Sequence, residues 1–474
     1  MSPPPASHPT RADLRKLFAL AAPVVFVQVG LMAMGVVDTI LVGRVSADAL
    51  AAVALGNMYF MTVAMLGMGV LFALDTVISQ AVGAGDNAAV ARGVQRGLVL
   101  AAGMTVPSLL PLLLAHPVFA ALGQPAAVVP IAADFVWVSI PGLLPFFGFI
   151  VLRQSLQAMG RLRPIVISIV FANVLNALLG WMFIFGKLGA PALGAVGTGV
   201  ASTIGRWAMA LFLLAVAWRD VRPALRPFTR AALDWEPLAR MVRLGMPIGL
   251  QFVLEVGVFS LVGVMMGRMS AVALAGHQVA ITLASLMFMV PLGISVSGAV
   301  LVGRAVGRRD ADGARRAARL AIATSAVFMS LSALTMLLIP QWIARLYTTD
   351  TAVIAVAASL IPIAGVFQVF DGLQVTSGGV LRGFGETRSP MIANLVGYWA
   401  LGFPISLALA FSAGLGPRGL WWGFVVGLGT VAMFLLWRVR LKLANVPEPV
   451  AIDQPPAPGI AQPDPFATAE HPAG

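Results

Sequence analysis

Long apolar stretches recur along the whole sequence, and the polar segments between them are short. About 20 apolar residues are enough for a helix to cross the hydrocarbon core of a bilayer. Twelve such spans are predicted, at residues 17–43, 54–81, 94–116, 128–152, 164–186, 194–218, 242–267, 275–303, 317–341, 352–381, 390–413 and 418–438. Apolar and polar residues do not alternate with a period of two, which excludes a membrane β-barrel.

The composition agrees with a polytopic membrane protein. With 59% hydrophobic and 11% charged residues, the chain has too little polar surface to cover a water-soluble globule of 474 residues. The absence of cysteine excludes disulfides and thiol chemistry, and the four histidines are too far apart for a metal site. The predicted fold class is therefore an all-α membrane protein of twelve transmembrane helices.

Basic residues are distributed unevenly between the two sides of the predicted spans. Nearly all lie in the N-terminal segment and in the even-numbered connections, whereas the opposite side holds only Arg44, Lys187, Arg268, Arg345 and Arg418. By the positive-inside rule both termini are predicted to be cytoplasmic. The net charge of +12 thus reflects membrane topology, and no nucleic-acid partner is expected. No signal peptide is predicted before the first span.

The two halves of the sequence form an internal repeat. A shift of 224 positions superposes Ser46 on Ser270 and Asp86 on Asp310, within longer matching runs. Six spans per copy give parallel repeats. The predicted organisation is an N-terminal tail (1–16), a first lobe (17–218), a basic linker (219–241), a second lobe (242–442) and a disordered, Pro-rich cytoplasmic tail (443–474).

The acids at membrane depth are not shared between the copies. Glu255 corresponds to Leu31, and Asp38 corresponds to Val262. A charge at the centre of a spanning helix costs roughly 2.5–3.5 kcal/mol, so it is usually retained for function. Glu255 and Asp371 are the most central acids and form the predicted cation-binding pair. Phe367, one turn before Asp371, would add a ring for an organic cation.

Three further acids lie nearer to the ends of their spans. Asp38 is predicted to take part in binding, because its depth requires a hydrogen-bond donor or a cation nearby. Asp75 is predicted either to snorkel toward the membrane surface or to contact an arginine at a gate, and Asp134 is predicted to be a first-turn residue favoured by the helix dipole.

Amides and one arginine accompany these acids. Asn173 and Asn176 share one face of the fifth span, where they would either bind an acid or ion or join helices by hydrogen bonds. Arg206 is the only cation predicted at membrane depth. It requires a partner that the sequence does not identify.

Four motifs resemble the multidrug and toxic compound extrusion (MATE) family: MGVVDTILVGR (34–44), ALDTVISQAVGAGD (73–86), GKLGAPALGAVGTGVAST (186–203) and LRGFGETRSPMIANLVGYWALGFPIS (381–406). The resemblance covers about residues 15–442. It implies a V-shaped pair of six-helix lobes around a central cavity. It also implies export of organic cations in exchange for Na+ or H+.

The resemblance also implies roles for single residues. By position, Glu255 and Asp371 match the C-lobe cation-site acids of the NorM branch, and Asp38 matches the N-lobe acid of the first helix. Gly180 stands where family members often have an aspartate, and Phe367 stands where NorM-type members can have a tyrosine. The missing aspartate favours the C-lobe pair, whereas Phe367 removes a hydroxyl from that site. The NorM-like pair of acids slightly favours Na+ over H+ as the coupling ion.

Two other functions were weighed. A flippase for a lipid-linked or anionic precursor would need several arginines in its cavity, and the sequence offers only Arg206. A membrane-embedded transferase would need clustered aspartates for Mg2+, but no DxxxD or DDxxD motif occurs. The expected protein is therefore a transporter without cofactor, not an enzyme. Because Arg greatly outnumbers Lys in an Ala/Gly-rich chain, we expect a bacterial inner-membrane protein. We expect a monomer, because the two lobes already supply the cavity.

Overall fold

The computed structural model describes residues 10–453, so parts of the two predicted tails, residues 1–9 and 454–474, lie outside the described residues. The described chain is helical, and twelve helices are long and apolar enough to cross a membrane, which confirms the prediction. They are α1 Arg11–Val42, α2 Ala47–Ala84, α3 Asn87–Leu113, α4 Val128–Ala158, α5 Arg163–Phe185, α6 Gly194–Val216, α7 Trp235–Met269, α8 Ala271–Gly307, α9 Ala311–Leu338, α10 Thr351–Gly383, α11 Arg388–Ser412 and α12 Pro417–Ala444.

Several helices extend beyond the predicted spans. The first helix begins six residues before residue 17, and α7 begins at Trp235, within the segment predicted as a linker. The connections contain short helices at Ala115–Ala121, Trp218–Leu225, Arg230–Leu233 and Pro340–Arg345.

Two spanning helices change their winding along their length. A 3-10 turn, Ile140–Gly142, interrupts α4 around Pro141. Wider π-type turns at Leu395–Gly402 and Ala408–Ser412 flank the part of α11 that contains Pro404. Proline lacks the N–H that would continue the α-helical hydrogen bonds, and each of these departures lies beside one.

The helices form two bundles, α1–α6 and α7–α12, called the first and second bundle. Each bundle has its own apolar core, with the fully buried rings of Phe60 and Phe147 in the first and of Trp421 and Phe424 in the second.

Residues shared by the two sequence copies begin equivalent helices. Ser46 Oγ accepts a hydrogen bond from the Ala49 N–H (3.0 Å) at the start of α2, and Ser270 Oγ does the same for Ala273 (3.0 Å) at the start of α8. Asp86 and Asp310 cap α3 and α9 in the same way. A side-chain oxygen at this position satisfies one of the backbone N–H groups left unpaired at a helix start. The repeat therefore preserves the signals that begin helices.

The two bundles are joined near one end, the terminal face, where α1 begins and α12 ends. Thr76 Oγ1 donates to the Arg382 carbonyl (2.6 Å), and Gln80 Nε2 donates to the Gly383 carbonyl (3.0 Å). In the opposite direction, Arg304 Nη2 donates to the Ala158 carbonyl (2.6 Å). Within residues 10–453, the hydrogen bonds between the bundles lie toward this face. The terminal face is therefore closed.

Residues 445–453 differ from the expectation that the tail is disordered from residue 443. The helix α12 runs to Ala444, and the chain beyond it contacts the first bundle through Val450 and Asp453 and the second bundle through Ile452. Composition predicts whether a segment can form its own core, but it does not reveal that a neighbouring surface supplies partners.

The backbones of the two bundles lie close together where α2 crosses α7. A Cβ atom built on Gly69 would overlap the backbone N and Cα of Gly249, and one built on Gly249 would lie 2.9 Å from the Leu66 carbonyl oxygen. Small residues allow such backbone approaches between membrane helices.

Replacing Gly69 with valine should therefore destabilise the closed arrangement. Overpacking of this kind costs about 1–3 kcal/mol, so we expect Gly69→Val to lower the melting midpoint of the purified protein. The matched control is Gly103→Val in α3, where a Cβ atom meets nothing within 4 Å. Equal melting midpoints for both variants would contradict the role of this crossing.

Candidate functional site

The second bundle contains a cavity of about 350 Å3 that brings the two predicted acids together. Glu255 comes from α7 and Asp371 from α10, and both line the cavity. The other lining residues are apolar, aromatic or hydroxyl-bearing, namely Val256, Phe259, Ser260, Ile281, Ala284, Ser285, Phe288, Phe367 and Tyr398. No basic side chain lies among them. We call this space the acidic cavity.

Three amides hold one oxygen of Glu255. Its Oε1 accepts hydrogen bonds from Gln251 Nε2 (3.1 Å), Gln374 Nε2 (2.8 Å) and Asn394 Nδ2. These donors come from α7, α10 and α11, so three helices fix the position of the carboxylate. Within the described chain, Oε2 accepts no hydrogen bond, which leaves it available to a cation or a proton.

Asp371 has a different environment from Glu255. Among residues 10–453 no side chain donates a hydrogen bond to its carboxylate, and its main electrostatic neighbour is the like-charged Glu255. Two carboxylates that share an apolar site repel each other, and a bound cation or proton relieves that repulsion. The pair could therefore hold a small cation such as Na+ through its oxygens.

Aromatic rings form the wall beside the acids. Phe367 is buried and meets Phe259 edge-on, with 6.0 Å between ring centroids. Phe259 in turn contacts Tyr398, at 6.1 Å. The sequence predicted that Phe367 shares a face with Asp371, and both line the acidic cavity. The phenol ring of Tyr398 belongs to the same wall, and sequence reasoning did not identify this residue.

The first bundle contains a second cavity of about 320 Å3, which we call the mixed cavity. Asp38 lines it and accepts a hydrogen bond from Asn176 Nδ2 (2.7 Å). Arg206 also lines it, with the guanidinium carbon 4.0 Å from the centroid of the Phe60 ring. The partner that Arg206 requires is thus an aromatic face, with Asp38 as an electrostatic neighbour.

The two cavities differ in charge. The acidic cavity holds two carboxylates and no basic side chain, whereas the mixed cavity holds Asp38 together with Arg153 and Arg206. Arg153 was predicted to lie in a connection at the membrane surface. It instead lies within α4, because that helix continues to Ala158. An organic cation is therefore favoured electrostatically in the acidic cavity and not in the mixed one.

The remaining predicted residues lie elsewhere. Asn173 Nδ2 donates to the carbonyls of Gly30 (3.1 Å) and Ile169 (2.9 Å), so it joins α5 to α1 and does not line the mixed cavity. The expectation for Asp134 was wrong. It is exposed and lies six residues after the start of α4, beyond the first turn on which the helix dipole acts.

Asp75 lies between the cavities and the terminal face. It is buried, and its Oδ2 accepts a hydrogen bond from Gln154 Nε2 (2.9 Å). Its strongest electrostatic partner is Arg382 of the second bundle, followed by Arg153 of its own bundle. Within residues 10–453 Asp75 forms no ion pair with an arginine, and its Oδ1 has no hydrogen-bond partner, so the gate contact stays a prediction.

Sequence reasoning missed the amides around Glu255. Gln251 lies four residues before Glu255 and Gln374 three residues after Asp371, and residues at these spacings share a helix face. A search for amides within one turn of each buried acid would have found both. Asn394 comes from another helix, and no local spacing could have revealed it.

Comparison with known proteins identifies the family. A family model described as MatE matches the chain twice, over residues 23–182 and 247–407. The chain belongs to the MatE family. The two matches begin 224 residues apart, the same shift that superposes the two copies in the sequence. Each match therefore covers most of one bundle of this MatE protein.

Relatives of known name extend over almost the whole chain. The multidrug resistance protein MdtK of Edwardsiella ictaluri is 35% identical over 441 residues, which are 90% of this chain and 95% of the relative. The multidrug resistance protein NorM of Burkholderia vietnamiensis is 36% identical over 434 residues, covering 90% of this chain and 94% of the relative. The twelve helices and these relatives together make this MatE chain a multi-pass bacterial membrane protein.

Solved structures share the fold. The eukaryotic MATE transporter AtDTX14 superposes with a TM-score of 0.83 at 22% identity, covering 91% of this chain and 96% of that structure. The bent form of the Vibrio cholerae MATE transporter VcmN gives a TM-score of 0.80 at 20% identity, covering 91% and 97%.

The charge difference between the cavities can be measured by cysteine reactivity, because the chain has no native cysteine. Ser260 lines the acidic cavity and Ser202 the mixed one. A thiol in Ser260→Cys should react about tenfold faster with a cationic than with an anionic methanethiosulfonate reagent, because the nearby carboxylates attract the cation. Ser202→Cys should show no preference for the cationic reagent.

The control places Glu255→Gln and Asp371→Asn together in the Ser260→Cys protein. The preference for the cationic reagent should then disappear. If it persists without the two carboxylates, the acidic cavity is not the source of the field.

Proposed function

We propose that this protein is a secondary active multidrug efflux antiporter, which exports lipophilic organic cations in exchange for Na+ or H+. The observation that carries the proposal is the acidic cavity. It combines two carboxylates with aromatic walls and contains no basic side chain. The multidrug resistance names of the MdtK and NorM relatives support the same class of substrate.

Competition for the same negative charge would couple the two fluxes. Glu255 and Asp371 attract either a coupling ion or an organic cation, and binding of one lowers the affinity for the other. Such coupling is reciprocal and needs no covalent chemistry, cofactor or enzymatic step. The rings of Phe259, Phe367 and Tyr398 offer an apolar and cation-attracting surface to substrates of different shapes.

We favour Na+ slightly over H+ as the coupling ion, because Glu255 and Asp371 match the acid pair of the NorM branch. The Glu255 Oε2 and both Asp371 oxygens are the anionic ligands available within the described chain, and hard cations prefer oxygen ligands. The amides hold the Oε1 atom of Glu255, so the carboxylate would keep its position as cations exchange at Oε2.

The remaining features of the proposal concern topology. The terminal face, which carries most of the arginines, would face the cytoplasm, with both termini inside a bacterial inner membrane. Each bundle contains its own cavity, so a monomer would suffice for transport. In this orientation the structure is closed toward the cytoplasm.

The first experiment measures efflux of a fluorescent lipophilic cation from vesicles under an imposed ion gradient. We expect Glu255→Gln and Asp371→Asn each to lower gradient-driven efflux by about tenfold or more, the effect of about 1.4 kcal/mol. Asp134→Asn, which changes an exposed carboxylate, is the control and should transport normally. Normal transport by both cavity variants at matched expression would contradict the proposed site, and Asp38 would be tested next.

The coupling ion is identified in the same vesicles. An imposed Na+ gradient without a pH gradient should drive efflux by the unmodified protein, and a pH gradient without Na+ should drive it less. The reverse order would assign H+ as the coupling ion. Efflux that depends on neither gradient would contradict antiport.

A further inference from the structure

The segment that follows α12, residues 446–453, crosses the terminal face from the second bundle to the first. We call it the strap. It leaves the second bundle after Ala444 at the end of α12 and reaches α3 of the first bundle at Asp453. Nothing in the function proposed above uses this segment. Its contacts are more specific than those of a loose tail.

Backbone groups attach the strap to both bundles. The Val450 N–H donates to Gln80 Oε1 in the first bundle (2.7 Å). Arg240 of α7 donates from Nη1 to the carbonyl of Ile452 (2.9 Å). Both polar atoms of the Gln80 amide form hydrogen bonds: Oε1 accepts from the strap, and Nε2 donates to the Gly383 carbonyl of the second bundle. The strap thus extends the hydrogen bonds that close the terminal face.

Side chains anchor the end of the strap on the first bundle. Asp453 forms ion pairs with Arg96 Nη1 (2.6 Å) and Arg92 Nη2 (2.9 Å), both on α3. The Ile452 side chain is 7% exposed and joins the apolar core of the first bundle. Partial burial raises the pKa of Asp453, but hydrogen bonds and charges from Arg96 and Arg92 outweigh this effect and leave the pKa below its usual value. The carboxylate is therefore ionised at neutral pH.

The two sets of anchors are too close together to tolerate separation of the bundles. The Ile452 carbonyl is held by the second bundle, while the Ile452 side chain and the next residue, Asp453, are held by the first. Consecutive Cα atoms are about 3.8 Å apart, so the strap has no slack between these contacts. If the bundles move apart at the terminal face by more than a few ångströms, one set of contacts must break.

We propose that the strap is a latch that stabilises the closed terminal face and must release one bundle before that face opens. This inference rests on the proposed transport function, because opening and closing on alternate sides is what transport requires. The latch raises the population of the closed state relative to the open one. It therefore regulates how often the acidic cavity becomes accessible from the terminal face.

Two truncations of the full chain test the latch. A chain that ends after Asp453 keeps the strap, and a chain that ends after Asn445 lacks it. Spin labels on Ala88→Cys in α3 and Asp312→Cys in α9, both exposed, report the separation of the bundles at the terminal face. Pulsed electron–electron double resonance in lipid nanodiscs then gives the distribution of distances between the two spin labels for each chain.

We expect the chain with the strap to show mainly the short distance. Without the strap, the population with a longer distance should increase by about tenfold relative to the short one, the effect of several lost contacts together. Both proteins must elute as folded monodisperse species. Identical distance distributions for the two truncations would overturn the latch.

A charge exchange tests the anchor without removing residues. Asp453→Arg should increase the ratio of long to short distances by about threefold or more, since the Asp453 carboxylate is partly exposed and ion pairs of this kind contribute modestly. Adding Arg92→Asp should restore the short distance by re-forming a pair of opposite sign. An unchanged ratio in Asp453→Arg, or no restoration by the exchange, would overturn the role of the ion pair.

These distances are measured without a transported drug. They therefore separate the latch from the proposed function. A strap-dependent distance change in a protein that fails the efflux experiment would retain the latch and reject the substrate class. Normal efflux without a strap-dependent distance change would retain the substrate class and reject the latch.

Discussion

An ionised carboxylate at membrane depth must find hydrogen-bond donors, a counter-charge or a bound cation, and this requirement organises the interior of the protein. Glu255 is held by three amides, Asp38 by one amide with Arg206 nearby, and Asp75 by one amide beside two arginines. Asp371 has no such donor among the described residues. It is therefore the acid whose charge depends most on what enters the cavity.

The two copies of the repeat share their helix starts but differ in their buried charges. Ser46 and Ser270 begin equivalent helices through the same hydrogen bond, since every helix start leaves backbone N–H groups to be satisfied. The cavity charges are not subject to that constraint and have diverged. One copy combines an acid with two arginines, and the other has two acids. A shared scaffold thus presents two cavities of different electrostatic character.

The sequence predicted much of this arrangement, because hydropathy and charge are properties of the residues themselves. The twelve helices and the repeat follow from apolar length and a fixed shift, and the acids stand out because charges are rare in apolar spans. The end of a helix and its rotation against its neighbours are not encoded so locally. Arg153 was assigned to a connection, although it lines the mixed cavity, and Asn394 reaches Glu255 from a different helix. Such contacts depend on how neighbouring helices pack.

Arg382 connects the cavity to the closed face. Its carbonyl accepts the hydrogen bond from Thr76 of the first bundle, and its guanidinium interacts electrostatically with both Asp75 and Glu255. Electrostatic interactions among buried groups are only weakly screened, so a change of charge at Glu255 alters the field on Arg382. Because Arg382 also contributes to the contact between the bundles, the proposed cation binding and closure of the terminal face would act on the same residue.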